Sequence, residues 1–275
     1  MLKAVSATQD WFTRTAKGEN ERTRLSCYVE EIKKTLSDAG IKTRPLRFLG
    51  YEGHGYNYVQ WGERGDSSIL VAKGNMADIL ALEEFSQDDG YTRVDFAVTV
   101  ELHAPNENVA KMHAEDLSDG TYKHGRTYYP VFVQNLAGGQ TFYIGSREKS
   151  YLLRVYDRGA KSGEAQLGLL WRYEVQVNRE SCSKAVKTVY QDWSKRREVI
   201  QSWVYDVFLS WGVHPLFERV RNYPGAMGLK MERSNPEKTV GWLRSSVRPA
   251  LQRLIDEGWE DQARDALGLS QPSLL

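Results

Sequence analysis

Only two cysteines, Cys27 and Cys182, occur in the 275 residues, and they lie far apart. That usage offers no zinc-type spacing and no disulfide framework, and it suggests two unlinked thiols in a reducing compartment. No apolar run approaches the ~20 residues needed to cross a bilayer. The opening stretch MLKAVSATQDWFTRTAKGENERTR has no apolar core of the kind a secretory signal carries. The expected setting is therefore the cytoplasm, with no membrane contact. Repeats and low-complexity tracts are also missing. Neither charge sign dominates, the net value being +1. Bulk electrostatics thus neither announces nor excludes a nucleic-acid partner, and what matters is where the charges sit.

What is present is an ordinary globular composition, 41% hydrophobic and 27% charged, with enough chain to bury a substantial core. Basic residues crowd into DWSKRREV, which contains Lys195, Arg196 and Arg197, and recur further on; acidic residues are denser in LEEFSQDDG and WEDQARD. After a polar N-terminus, Leu25, Val29, Ile32 and Leu36 fall at helical spacing, closed by Gly40. YNYVQWG and SSILVAKG, joined by ERGD, read as a hairpin. MADILALEEFSQ and NENVAKMHAEDL are predicted helices, with the strand YTRVDFAVTVEL between them. YYPVFVQN, QTFYIGS, YLLRVYD and GLLWRYEVQVN are closely spaced strands. From about residue 182 the pattern turns helical: SKAVKTVYQDW, VIQSWVYDVFLSW, and finally EKTVGWLRSSVRPALQRLIDEGW. The layout predicts an α+β domain over 1–181 and a helical C-terminal part over 182–275, a candidate for duplex binding or dimerisation.

Successive side chains of a strand point to opposite sides. Val94, Phe96, Val98, Val100 and Leu102 share one face of their strand, and Asp95, Thr99, Glu101 and His103 the other. Trp171, Tyr173, Val175 and Val177 likewise oppose Arg172, Glu174, Gln176 and Asn178, while Arg154 and Tyr156 oppose Leu153 and Val155. If these strands share one sheet, their polar faces pool carboxylates, arginines and a tyrosine. Clustered carboxylates repel unless protons, arginines or a divalent cation neutralise them, so Asp95, Glu101 and Glu174 would suit Mg²⁺ or Mn²⁺, with His103 available as a further ligand. Arg154, Arg158 and Arg172 could clamp phosphate oxygens. A tyrosine hydroxyl beside them could act as a nucleophile and remain covalently attached. A solvated sheet face, on which such residues pair for little gain, is the competing reading.

The segments TRVDFAVTVEL, TFYIGSREKSYLLRVYDRGAKSG and WRYEVQVNR resemble the replication initiation factor family, which holds rolling-circle initiators of plasmids and phages and related relaxases. That family shows an Arg-x-Asp strand, a Tyr-x-Gly-Ser strand, Arg-x-Tyr-Asp-Lys and an Arg-x-Glu strand. Arg93 and Asp95 match the first, Tyr143, Gly145 and Ser146 the second, Arg154, Tyr156 and Asp157 the third, and Arg172 and Glu174 the fourth. The likeness spans roughly residues 45–210. It implies an RRM-like antiparallel sheet and an endonuclease that nicks one strand of origin DNA. Tyr156 would attack the phosphate, stay joined to the 5′ end and leave a 3′ hydroxyl, with a divalent metal present. Arg93, Tyr143 and Ser146 would touch DNA. Duplex and single-stranded origin DNA are the implied partners, with a helicase beside them; a homodimer is left open. Two departures stand out: Thr99 occupies the place of a common second acid, and Arg158 the place of a lysine. No His-hydrophobic-His motif occurs among the five histidines.

Other tyrosines compete with Tyr156. Tyr143 belongs to the Tyr-x-Gly-Ser motif, Tyr151 starts the strand of Tyr156 on its opposite face, and Tyr128 and Tyr129 precede Pro130 and read as packing residues. A relaxase of a mobile element, or a single-strand-binding protein without catalysis, are the alternative functions.

Overall fold

The computed structural model describes residues 2, 4–81, 90–117, 121–124, 127–136, 139–146, 148–163 and 167–220. The chain divides into two compact units, Met1–Met227 and Gly228–Leu275. The second unit, with the expected helix over EKTVGWLRSSVRPALQRLIDEGW, lies outside the described residues, as do most of LEEFSQDDG and the side chains of Tyr128 and Tyr129.

The first unit is α+β, built on one antiparallel sheet of eleven strands in the order β2-β3-β4-β5-β1-β6-β11-β10-β9-β8-β7. The strands are β1 Ala4–Lys17, β2 Arg44–Phe48, β3 Tyr51–Tyr56, β4 Val59–Arg64, β5 Ser67–Lys73, β6 Tyr91–Glu101, β7 Thr121–His124, β8 Thr127–Leu136, β9 Gly139–Gly145, β10 Tyr151–Asp157 and β11 Leu170–Asn178. The main helices are α1 Glu19–Asp38, α3 Val109–Glu115, α5 Ser181–Val189 and α6 Arg196–Ser210; two short ones, α2 Asn75–Ile79 and α4 Arg158–Ser162, follow β5 and β10. No described helix is long and apolar enough to cross a membrane.

The alternation read from the sequence sets the layers. Two apolar rows cross the sheet in register: Phe96, Val175, Leu153 and Ile144, and beside them Val98, Tyr173, Val155 and Phe142. All eight are at most 0% exposed, and α3, α5 and α6 cover them. Trp203 of α6 meets Phe96 edge-on at 5.4 Å, and His113 of α3 lies 5.7 Å from the Tyr173 ring. Farther along, α1 buries Leu25, Tyr28, Val29, Ile32 and Leu36. Its last turn closes at Ala39 with Gly40 left-handed at φ 69, as the sequence expects.

The N-terminus departs from expectation. The segment expected to be a polar N-terminus forms β1, a 14-residue strand between β5 and β6. Its sequence, AVSATQDWFTRTAK, carries the strand formers Val5, Thr8, Trp11, Phe12, Thr13 and Thr15, interrupted by Gln9 and Asp10, and ladder partners on both sides complete the strand. Its register to β6 slips between Gln9 and Trp11, which leaves Asp10 at a bulge.

Candidate functional site on the polar sheet face

The face opposite the helices gathers the polar residues of β6, β11 and β10, which are adjacent strands. Arg154 sits directly across from Glu174 on one side and Tyr143 on the other; Tyr156 sits across from Arg172 and Thr141. This is not a solvated surface. Asp95 is 1% exposed, Glu174 2%, Arg172 6% and Tyr156 7%. Buried ions are tolerated only when paired, and here they are.

The pairing forms a chain of contacts. Arg93 forks onto Asp95 through Nε at 2.9 Å and Nη2 at 2.5 Å, while its guanidinium lies 4.2 Å from the Trp11 ring. Arg154 Nη2 donates to Asp95 Oδ2 at 3.2 Å and also to Glu174 Oε1. Glu174 Oε2 accepts the Tyr156 hydroxyl at 3.1 Å. Beside this chain, Arg172 bonds Thr99 Oγ1 at 3.0 Å, Thr8 Oγ1 at 3.3 Å and Asp10 Oδ1 at 2.7 Å.

The electrostatics assign different states to the two buried acids. Burial works to raise Glu174, but the Arg154 guanidinium and its other hydrogen bonds hold it well below the usual carboxylate range. Asp95 is raised by burial, against the Arg93 fork, and the nearby Glu174 charge raises it further. Burial and Glu174 push the Tyr156 phenol well above its ordinary value, so it stays protonated near neutrality and needs a base to become a nucleophile. Glu174, held ionised, is the acceptor in contact with that hydroxyl.

Two residues that sequence reasoning missed complete the cluster. Asp10 reaches it from the bulge in β1; burial raises its carboxyl, while Arg172 works the other way. Nothing local marks Asp10, because only tertiary pairing brings β1 beside β6. Lys161, on α4, places its ammonium 4.7 Å from the Tyr156 ring centroid. Its spacing of five residues from Tyr156 could have been noticed once a turn was read there. Asp157, by contrast, caps α4: its side chain accepts from Ala160 N at 2.9 Å and from Gly168 N.

Several expected site residues are elsewhere. Glu101 lies at the exposed end of β6, six residues beyond Asp95 and so about 20 Å along the strand; His103 is beyond it. Among the described residues no group of three or more His, Cys, Asp or Glu side chains is placed to hold a metal ion. The four expected ligands therefore do not fit one metal centre, and Asp95 and Glu174 have arginine partners instead. Ser146 belongs to a turn, its Oγ accepting from Glu148 N at 3.2 Å, five positions along β9 from Thr141, the partner of Tyr156. Gly145 before it has φ 101. Lys195, Arg196 and Arg197 begin α6, on the helix side of the sheet; Arg196 lies 4.9 Å from the Trp193 ring and Arg197 3.8 Å from Asp78. Of the competing tyrosines, Tyr151 faces the helices and packs near Trp211 at 6.4 Å, whereas Tyr143 shares the face of Tyr156.

Residues 80–209 match the model of a family described as replication initiation factor. All four motifs named above fall inside that span. No curated protein matches the chain. Among solved structures, the chain is similar to the rolling circle replication initiator protein from Geobacillus stearothermophilus, at 16% identity over 75% of this chain and 85% of that one, with a TM-score of 0.48.

Proposed function

We propose that this protein is a rolling-circle replication initiator that nicks one strand of origin DNA through Tyr156. The observation that carries the reading is the 3.1 Å hydrogen bond from the buried Tyr156 hydroxyl to an arginine-held Glu174 carboxylate. An ionised acceptor in hydrogen-bond contact gives a nucleophilic tyrosine a place to pass its proton. The family match over residues 80–209 supports the choice of DNA as substrate.

In the proposed step, the phenolic proton passes to Glu174 Oε2 as Tyr156 Oη forms a bond to the scissile phosphorus. The bond from phosphorus to the 3′ oxygen breaks, and that oxygen takes a proton from water, which is made good when Glu174 Oε2 returns its proton to solvent. The products are a 5′-phosphotyrosine and a free 3′ hydroxyl. Arg154 and Arg158 would neutralise the charge that builds on the phosphate oxygens. Arg172 has its donors on Asp10, Thr8 and Thr99, so it contributes by its field rather than by contact. Lys161, over the Tyr156 ring, stabilises the phenolate when the link is reversed. The divalent ion implied by the resemblance, Mg²⁺ or Mn²⁺, is kept as an assay requirement. The residues expected to hold it, Asp95, Glu101, His103 and Glu174, are not gathered in one place.

Origin duplex recognition is assigned to the region 182–275, with its basic residues, and the sheet to the melted strand. The test is incubation with supercoiled DNA carrying the protein's own replicon, with and without Mg²⁺ or Mn²⁺. A protein–DNA adduct at the 5′ end of a single nick is expected; intact supercoiled DNA under every condition would overturn the proposal.

A further inference from the structure

The sheet face that carries Tyr156 ends, on its β8 side, in a pair of aromatic rings. Phe132 and Tyr143 are direct partners across β8 and β9 and stack with centroids 4.8 Å apart and planes 13° from parallel. Tyr143 is in turn the direct partner of Arg154. One row across the sheet therefore reads Phe132, Tyr143, Arg154, Glu174. Phe132 is 44% exposed, the most exposed phenylalanine among the described residues. Strand β7 pairs with β8 only over Thr127–Pro130, so no described strand lies beside Phe132 on its outer side. What sets this ring apart from other exposed apolar side chains is its stacking on Tyr143 in the row that leads to Arg154 and Glu174.

We infer that the stacked Phe132–Tyr143 pair is a platform for a nucleobase of the single DNA strand lying on this face, next to the phosphate that Tyr156 attacks. The inference rests on the nicking reading for the identity of the strand. Every base has a π-face, so stacking suits a site that must grip melted DNA whatever its sequence. Phe132 is two strands from Arg154, about 10 Å. About three nucleotides at the ~3.4 Å stacked rise cover that distance. The charges are complementary: arginines of the same row and of α4 take the phosphate, and the rings beyond them carry no charge to repel the backbone. Simple cross-strand stabilisation by the ring pair is the alternative, and it predicts no effect on DNA.

The experiment uses the full chain carrying Tyr156→Phe, so that no covalent link forms. Fluorescence anisotropy compares a labelled oligothymidylate with an abasic deoxyribose-phosphate oligomer of equal length. The parent should prefer the base-bearing oligomer. Phe132→Ala should weaken oligothymidylate binding about tenfold, leave the abasic oligomer unchanged, and so erase the preference. Phe132→Trp should restore it, which separates a lost platform from a damaged fold. Unchanged oligothymidylate affinity in Phe132→Ala, equal losses on both oligomers, or no preference in the parent would each overturn the platform. The nicking reading is judged separately, by adduct formation in protein that retains Tyr156. A protein with no adduct but a Phe132-dependent preference would lose the catalytic assignment and keep the platform.

Discussion

Tyr156 and Glu174 are diagonal neighbours on β10 and β11 rather than direct partners, yet their side-chain oxygens meet at 3.1 Å. The direct partner of Glu174 is Arg154, whose guanidinium takes the other carboxylate oxygen. One acid thus has an oxygen for the cation that keeps it charged and an oxygen for the phenol.

Removing either end of that contact should stop chemistry without stopping binding. Tyr156→Phe should give no covalent adduct in a denaturing gel of protein and supercoiled substrate. Glu174→Gln should slow single-turnover nicking by about 10²- to 10⁴-fold, the usual share of a general base. If Tyr156→Phe keeps its full adduct yield, the nucleophile moves to Tyr143, which shares the face, and not to Tyr151, which packs near Trp211.

The acids far along the strand should be dispensable. Glu101→Ala and His103→Ala are expected to nick within about twofold of the wild-type rate, given the ~20 Å that separates Glu101 from Asp95. Asp10→Asn should slow nicking, because it removes the charge that Arg172 pairs with at 2.7 Å. Loss of activity in Glu101→Ala with the fold intact would show that a metal draws β6 residues together in a way this arrangement lacks.

Lys161→Ala should slow resealing of the nicked strand by about threefold, with Lys161→Arg retaining most of the rate; an exposed cation over an aromatic face is worth about 0.5–1 kcal/mol. A rate equal to wild type in Lys161→Ala would leave the phenolate to the fields of Arg172 and Arg154.

His113 predicts a pH-dependent stability. It is 1% exposed, its Nε2 is 2.9 Å from Tyr173 Oη, and that hydroxyl also accepts from Leu216 N at 3.3 Å. Burial pushes its pKa down to about 4, with Asp116 acting upward and His214 downward. The unfolded chain takes the proton near pH 6.5 and the folded one only near 4, so stability is full above 6.5 and is lost as pH falls toward 4. Between pH 7 and pH 5 the loss should be about 2 kcal/mol in urea melts. His113→Gln should flatten that part of the profile; an unchanged slope would place the titration elsewhere.

Gly145 tests the turn of the Tyr-x-Gly-Ser motif. Its φ is 101, and a Cβ there would lie 2.6 Å from the Tyr151 carbonyl oxygen. Gly145→Ala should cost on the order of 2 kcal/mol of stability, read from the denaturation midpoint. A variant as stable as wild type would mean that the backbone relaxes and that the glycine serves another end.

How far the sequence reaches can be read from particular elements. Period-2 alternation determined the division of β6, β10 and β11 into an apolar and a polar face, because the pleat allows no other outcome. Period-3.6 spacing determined α1 and its buried residues for the same kind of local reason. Tyr156, Arg154 and Glu174 could thus be assigned to one face before any neighbour was known. What alternation cannot give is which strands are adjacent and at what register. The shared bond of Arg154 with Asp95 and Glu174 depends on the order β6-β11-β10 and on Arg154 lying opposite Glu174. Glu101 shared the face of Asp95 in the sequence but not its place along the strand, so parity alone enrolled it wrongly among its neighbours. Asp10 is the converse: nothing in its own segment says that it will sit at a bulge beside β6, and the pairing of β1 with β5 and β6 decides that. Burial, too, was decided only in three dimensions. A row of Asp, Arg, Glu and Tyr reads the same whether water covers it or not, and it is the packing of these side chains against one another that removes the water and shifts their protonation.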